Sequence, residues 1–188
     1  MTKFNSVLTL LLISVFSTSV YAAGTADHKR AKIQKMKNEV LERLYKEEPG
    51  TRDDIRNAPG YAVFSNVGIN LILLSAAGGD GVAHNNLSGK DTYMNMASAG
   101  IGIGLGVKDF RAVFVFQTDK AYQNFVDKGW DFSGQTDAAA KSTDKGKEGS
   151  AALTAVPDVT VYQLTEAGLV LQATLQGTKY WKSKKLNQ

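Results

Sequence analysis

The chain has no cysteine, three prolines, two histidines and two tryptophans among its 188 residues. Without cysteine it can form neither a disulfide framework nor a lipid thioether at an N-terminal thiol, so any membrane contact has to be non-covalent. A zinc site needs four ligands, or three with an open position; His28 and His84 cannot supply these without scattered carboxylates. No H-x-x-x-H spacing, paired-carboxylate motif or G-x-S-x-G elbow occurs. These absences lead to the expectation of a protein that is not an enzyme and holds no metal or cofactor.

Long apolar runs are also missing beyond the N-terminus, because Gly, Asn, Ser or a charge interrupts each one. The run Val7–Phe16 is uncharged and follows Lys3, yet it is shorter than the about 20 apolar residues that span a bilayer as a helix. Small residues follow at Ser19, Ala22 and Ala23, with Val20-Tyr21-Ala22 as a cleavage box. This is the layout of a secretory signal. The expected division is a signal peptide over 1–22, a helical segment over 23–57 and a β-rich domain over 58–188, in a protein that is periplasmic or otherwise exported and able to associate with a membrane.

From Asp27 to Lys46, Ile33, Met36, Val40, Leu41, Leu44 and Tyr45 recur at helical spacing and define an amphipathic helix. Its outer face carries Lys35, Glu39 and Arg43 at i, i+4 positions, whereas Lys29, Arg30, Lys32 and Lys37 have little acidic company beyond Asp27. Pro49-Gly50 stops the helix. Thr51 and Asp54 resemble a capping box for a short second helix ending before Pro59.

From Tyr61 the period shortens. Tyr61–Phe64 and Ile69–Leu74 read as short strands, and Gly78-Gly79-Asp80-Gly81 and Leu87–Asp91 as turns, with Val82–Asn85 and Thr92–Ala97 as neighbours in a meander. Arg111–Gln117 is a strong strand, and Asp119–Val126 a helix with Gly129 beyond its end. Ser133–Gly149 is rich in small and polar residues, and Asp144-Lys145-Gly146-Lys147-Glu148-Gly149 within it is expected to be a mobile loop. Val159–Leu164 and Leu169–Leu175 form a hairpin with one wet face. Together these elements define an α+β domain with a largely antiparallel sheet that can curl into a partial barrel, an N-terminal amphipathic helix and one or two further helices.

Gly100, Gly102, Gly104 and Gly106 alternate with Ile101, Ile103 and Leu105. A dinucleotide-binding loop needs G-x-G-x-x-G between a strand and a helix. A strict period of two instead places the glycines on one face of a strand, against which another backbone, a helix or a lipid tail can come close.

The overall charge is modest, with 22 Lys and Arg against 18 Asp and Glu, but it is unevenly placed. Lys179, Lys182, Lys184 and Lys185 crowd around Tyr180 and Trp181, and no acid follows Glu166. Aromatics beside lysines match a membrane interface, where rings sit at headgroup depth and lysines meet phosphate. The candidate lipid-binding residues are therefore Lys29, Arg30, Lys32 and Lys37 near the start, and Lys179, Trp181, Lys182, Lys184 and Lys185 near the end. Nucleic acid fits such charges but not an exported location.

Several segments carry a family likeness in order: Ala58-Pro59-Gly60-Tyr61-Ala62-Val63-Phe64, Gly78-Gly79-Asp80-Gly81, Met96 to Phe116 with Val107-Lys108-Asp109-Phe110, Gly129-Trp130-Asp131-Phe132-Ser133-Gly134-Gln135, and Gly168-Leu169 to Gly177. In these the chain resembles the SYLF lipid-binding domain family in its bacterial, exported form. The resemblance implies phospholipid binding, with phosphoinositide recognition and effects on actin belonging to eukaryotic members and not carried over here. It also implies lipid contact through basic, amphipathic segments near the N-terminus, which correspond here to Lys29–Lys37. One departure is that Asn66-Val67-Gly68-Ile69-Asn70 lacks the lysine often found after the Tyr-Ala-Val-Phe strand. The function expected is phospholipid binding at a membrane surface; the alternative is a soluble periplasmic carrier with a lipid or other hydrophobe in an internal pocket.

Overall fold

In the computed structural model, the backbone is described over residues 4–71, 74–100, 111–131, 152–165, 168–170 and 178–188, and side chains over 24–65, 78–97, 111–131, 157–164 and 178–188. Gly102–Gly106 of the glycine ladder, Ser133–Gly149 and Leu171–Leu175 lie outside the described residues. The chain divides into two compact units, Met1–Lys32 and Ile33–Gln188.

Helix α1 runs over Phe4–Glu47 and so begins well before the Asp27 expected from periodicity. Its expected stripe is correct: Ile33, Val40, Leu41 and Leu44 are buried, and Met36 and Tyr45 partly so. Helix α2 covers Thr51–Asn57, but the capping box does not form. Thr51 is already inside the helix and buried, and its hydroxyl donates to the Glu48 carbonyl at 2.7 Å instead of receiving an amide proton.

The described strands are β1 (Gly60–Leu71), β2 (Leu74–Asn85), β3 (Asp91–Gly100), β4 (Arg111–Phe116), β5 (Trp130–Asp131), β6 (Ala152–Val156), β7 (Val159–Thr165), β8 (Gly168–Val170) and β9 (Thr178–Lys182). They form one sheet in the order β5-β9-β3-β2-β1-β4-β7-β6, with β8 also on β7. Every described pairing is antiparallel, and the fold is α+β.

Three expectations change. Tyr61–Phe64 and Ile69–Leu71 belong to one long strand, β1, Leu74 already opens β2, and Gly78–Gly81 is the interior of β2 rather than a turn. The reason is visible at Gly81, where a Cβ would collide with the Phe64 ring and the Val63 carbonyl. The glycine makes room for an aromatic on the neighbouring strand, a role that turn statistics do not register. Strand β7 lacks a wet face: Val161 packs into one core and Tyr162 and Leu164 into the other.

The sheet is strongly curled. Phe114 on β4 and Tyr180 on β9 are four strand spacings apart, about 19 Å if the sheet were flat, yet their ring centroids are 5.2 Å apart. The inner face holds Phe64, Phe114, Phe116, Met94, Met96 and Tyr180 against Tyr122, Phe125 and Val126 of α3 (Asp119–Lys128). Thr118 caps α3 by accepting the Ala121 amide at 3.2 Å, and Gly129 ends it at φ 70°. A side chain at Gly129 would strike the Tyr180 carbonyl. On the outer face Val63, Val113, Val115, Tyr162 and Leu164 pack with Val40, Leu41 and Leu44 of α1 and Ile55 of α2.

Candidate functional site

The two basic groups read from the sequence are placed very differently. In the unit Met1–Lys32, Lys29 and Lys32 are exposed, and Arg30 pairs with Asp27 at 2.6 Å. Lys37, in the second unit, leaves that group: its side chain is only 13% exposed and its ammonium lies 3.9 Å from Asp91. Lys35 and Glu39 form the expected surface pair at 3.8 Å. Arg43 pairs with Glu47 at 2.8 Å.

Lys37 belongs to a polar cluster at the edge of the outer core. Asp91 Oδ1 is 2.7 Å from His84 Nδ1, and its Oδ2 accepts from Gln34 Nε2 at 2.7 Å. Gln34 also donates to the Tyr93 hydroxyl at 3.1 Å. One carboxylate thus ties α1 to β2 and β3. His84 stacks on Tyr61 at 5.2 Å and has one acid beside it, which makes it a sheet histidine whose ring Asp91 orients. Among the described residues no group of three or more His, Cys, Asp or Glu could hold a metal ion.

The C-terminal group is not a free tail. Thr178–Lys182 is strand β9, inserted between β5 and β3, and Tyr180 is wholly inside the inner core. Alternation puts Lys179 and Trp181 on the opposite face from Tyr180. Lys179 pairs with Asp131 at 2.8 Å, and Trp181 is 37% exposed. Lys182, Lys184 and Lys185 are exposed.

The last residues are fastened to β3. Ser183 N donates to the Tyr93 carbonyl at 3.0 Å. Asn187 Oδ1 accepts the Tyr93 amide at 2.9 Å, and its Nδ2 donates to the Tyr93 carbonyl at 2.8 Å and the Ser183 carbonyl at 2.6 Å. Leu186 is buried beneath the short 3-10 turn Lys185–Asn187. The structure therefore presents Lys184 and Lys185 on a fixed turn.

Burial dominates the titration of the tyrosines. Desolvation pushes Tyr61, Tyr122 and Tyr162 up to about 12, with nearby Tyr45 and Asp91 adding to the effect at Tyr61, Asp91 at Tyr122 and Asp54 at Tyr162. Tyr180 is raised further by burial alone, and among the described residues its hydroxyl has no hydrogen-bond partner.

Sequence reasoning missed Gln34 and Asp91, which meet only when the chain is folded, and Asn187, whose role depends on the register of β9. It treated Lys37 as part of a basic cluster because spacing along a helix does not reveal a carboxylate arriving from another strand.

A curled antiparallel sheet with a helix on each side and a buried aromatic interior defines a domain of the α+β class. Residues 97–188 match the family described as "Ysc84: Las17-binding protein actin regulator". A curated protein from Aeromonas veronii, "Beta cell expansion factor A", is 37% identical over 166 residues, which is 87% of this chain and 61% of that protein. This chain thus spans about three-fifths of that relative's length. Residues 97–188 thus match the Ysc84 (SYLF) family, in line with the sequence resemblance, a family associated with lipid binding and with partners such as actin regulators.

Proposed function

We propose that the protein is exported and binds phospholipid non-covalently at a membrane surface, as a binding module and not as an enzyme. The observation that carries this reading is the fixed, exposed presentation of Lys184 and Lys185 on a domain of a lipid-associated family. Lys182 and Trp181 precede them, and Lys29 and Lys32 give a second exposed basic group in the N-terminal unit. Each Lys or Arg close to an anionic bilayer contributes about 1 kcal/mol. Lys37 and Lys179, each engaged with an aspartate, are assigned a smaller share. Export rests on Lys3, the Val7–Phe16 run and the Val20-Tyr21-Ala22 box; N-terminal sequencing of periplasmic protein should find Ala23 or Gly24, and an intact Met1 would refute it.

Vesicle flotation tests the binding. Replacement of Lys182, Lys184 and Lys185 by Gln, or of Lys29, Arg30 and Lys32, should weaken binding to phosphatidylglycerol vesicles at least tenfold. If both variants float like the parent, surface electrostatics is not the mechanism.

One observation favours the carrier reading: the Tyr180 hydroxyl, fully buried inside the curl of the sheet and without a hydrogen-bond partner among the described residues. Such a group costs about 1 to 3 kcal/mol unless something accepts its proton. Lipid extraction and mass spectrometry of the purified protein separate the readings, since a carrier retains cargo and a peripheral binder does not.

A further inference from the structure

The turn between β2 and β3 has features that the reading above does not use. Leu87, at its tip, is 75% exposed, more than Trp181, the other large hydrophobic side chain exposed among the described residues. It is held firmly. Asn85 Oδ1 accepts the Leu87 amide at 3.0 Å and the Ser88 amide at 2.8 Å. Asn86 Nδ2 donates to the Ile55 and Ala58 carbonyls at 2.7 and 2.8 Å, so the turn is pinned to the end of α2, whose last carbonyls lack helical partners. A single exposed leucine is ordinary on a soluble surface; its surroundings make this one informative.

Lys90 is exposed in the same turn. Asp91 and Tyr93 follow directly on β3, and Tyr93 is the residue to which Ser183 and Asn187 are bonded. The register thus brings Lys184 and Lys185 to the same end of the sheet as Leu87 and Lys90, although nearly half the chain separates them in sequence. Among the described residues no ion pair engages Lys90, Lys184 or Lys185. Arg56, at the end of α2, is paired with Asp53. Asp119 and Asp158 stand at this end too, but beyond β1, next to β4 and β7, so the β2–β3–β9 side is the basic one.

We propose that this end of the sheet is the face that meets an anionic bilayer, with Leu87 entering the headgroup layer while Lys90, Lys184 and Lys185 meet lipid phosphate. The proposal rests on the lipid-binding reading and gives it an orientation. An apolar side chain on a rigid turn inserts without the cost of ordering a loop, and cations beside it supply the attraction that holds the turn at the surface. Trp181, on the outer face of β9, then lies back from the contact.

The absence of cysteine permits a clean test. Leu87→Cys and, as a control, Asn124→Cys on the exposed side of α3 each give a unique site for an environment-sensitive fluorophore. On adding phosphatidylglycerol–phosphatidylcholine vesicles, the label at 87 should brighten and shift to shorter wavelength while the label at 124 stays unchanged. Joint replacement of Lys90, Lys184 and Lys185 by Gln should lower partitioning about a hundredfold, at about fivefold per lysine. Protein that floats with vesicles while the label at 87 reports water, or while both labels respond equally, overturns this orientation and leaves the lipid reading intact. Failure of the unlabelled parent to float refutes the lipid reading, and the orientation with it.

Discussion

The two faces of the sheet are built from the same strands by different means. On β4, Ala112, Phe114 and Phe116 point to the inner core, and Val113 and Val115 to the outer one. The inner face is a lattice of rings: each of Phe64, Phe114, Phe116, Phe125, Trp130 and Tyr180 lies within about 6 Å of at least two others, mostly edge to face. The outer face is mainly aliphatic, with Tyr61 and Tyr162 among its residues, and is completed at its margin by hydrogen bonds converging on Asp91. Packing alone closes one side; the other adds a carboxylate that fixes where α1 lies on the sheet.

That contrast orders the expected effects. Phe114→Ala removes a wholly buried ring with partners on α3, β1 and β9 and should cost about 3 to 5 kcal/mol, measured by urea denaturation; Val115→Ala on the opposite face should cost clearly less. Equal losses would mean the aromatic side has no special weight. Gly81→Ala forces a methyl against the Phe64 ring and the Val63 carbonyl and should destabilise by about 1 to 3 kcal/mol. A neutral result would show that Phe64 can swing away.

Asp91→Asn keeps the shape and removes the charge facing Lys37 and His84, with an expected loss of about 1 to 2 kcal/mol. Gln34→Ala should lose a similar amount, and its combination with Asp91→Ala less than the sum of those two single changes, because each removes one partner of the same bond. Additivity would separate Gln34 from Asp91 energetically. The smallest effect is seen in alkali. Tyr61, Tyr122 and Tyr162 have folded-state values raised to about 12, so their contribution is complete below the ordinary phenol range and is lost as pH rises through about 12. Absorbance titration at 295 nm should show these tyrosines ionising together with unfolding; ionisation near 10 with the fold intact would contradict their burial.

Much of the architecture was legible because its signals are local. The stripe on α1, the start and terminal glycine of α3, strand β4 and the turn from Leu87 to Lys90 each announce themselves within a few residues. What the sequence could not show depends on which strand lies beside which. Gly81 reads as a turn residue until Phe64 is seen across from it, and Lys37 reads as a surface cation until Asp91 arrives from β3. The C-terminal lysines were visible as a cluster, but not that Tyr180 among them is core, that Lys179 meets Asp131, or that Asn187 fastens Lys184 and Lys185 beside Tyr93. The margin of the site is formed by pairing, and pairing has no period.

The central claim is attraction of the protein to anionic lipid, and flotation of the intact protein across a sodium chloride series tests it most directly. Screening shortens the reach of surface charge to about 8 Å at physiological ionic strength. Binding to phosphatidylglycerol vesicles should therefore be strong at low salt and fall steadily as salt rises, with little binding to phosphatidylcholine alone. Equal binding to both lipids, or binding to phosphatidylglycerol that salt does not change, would contradict it.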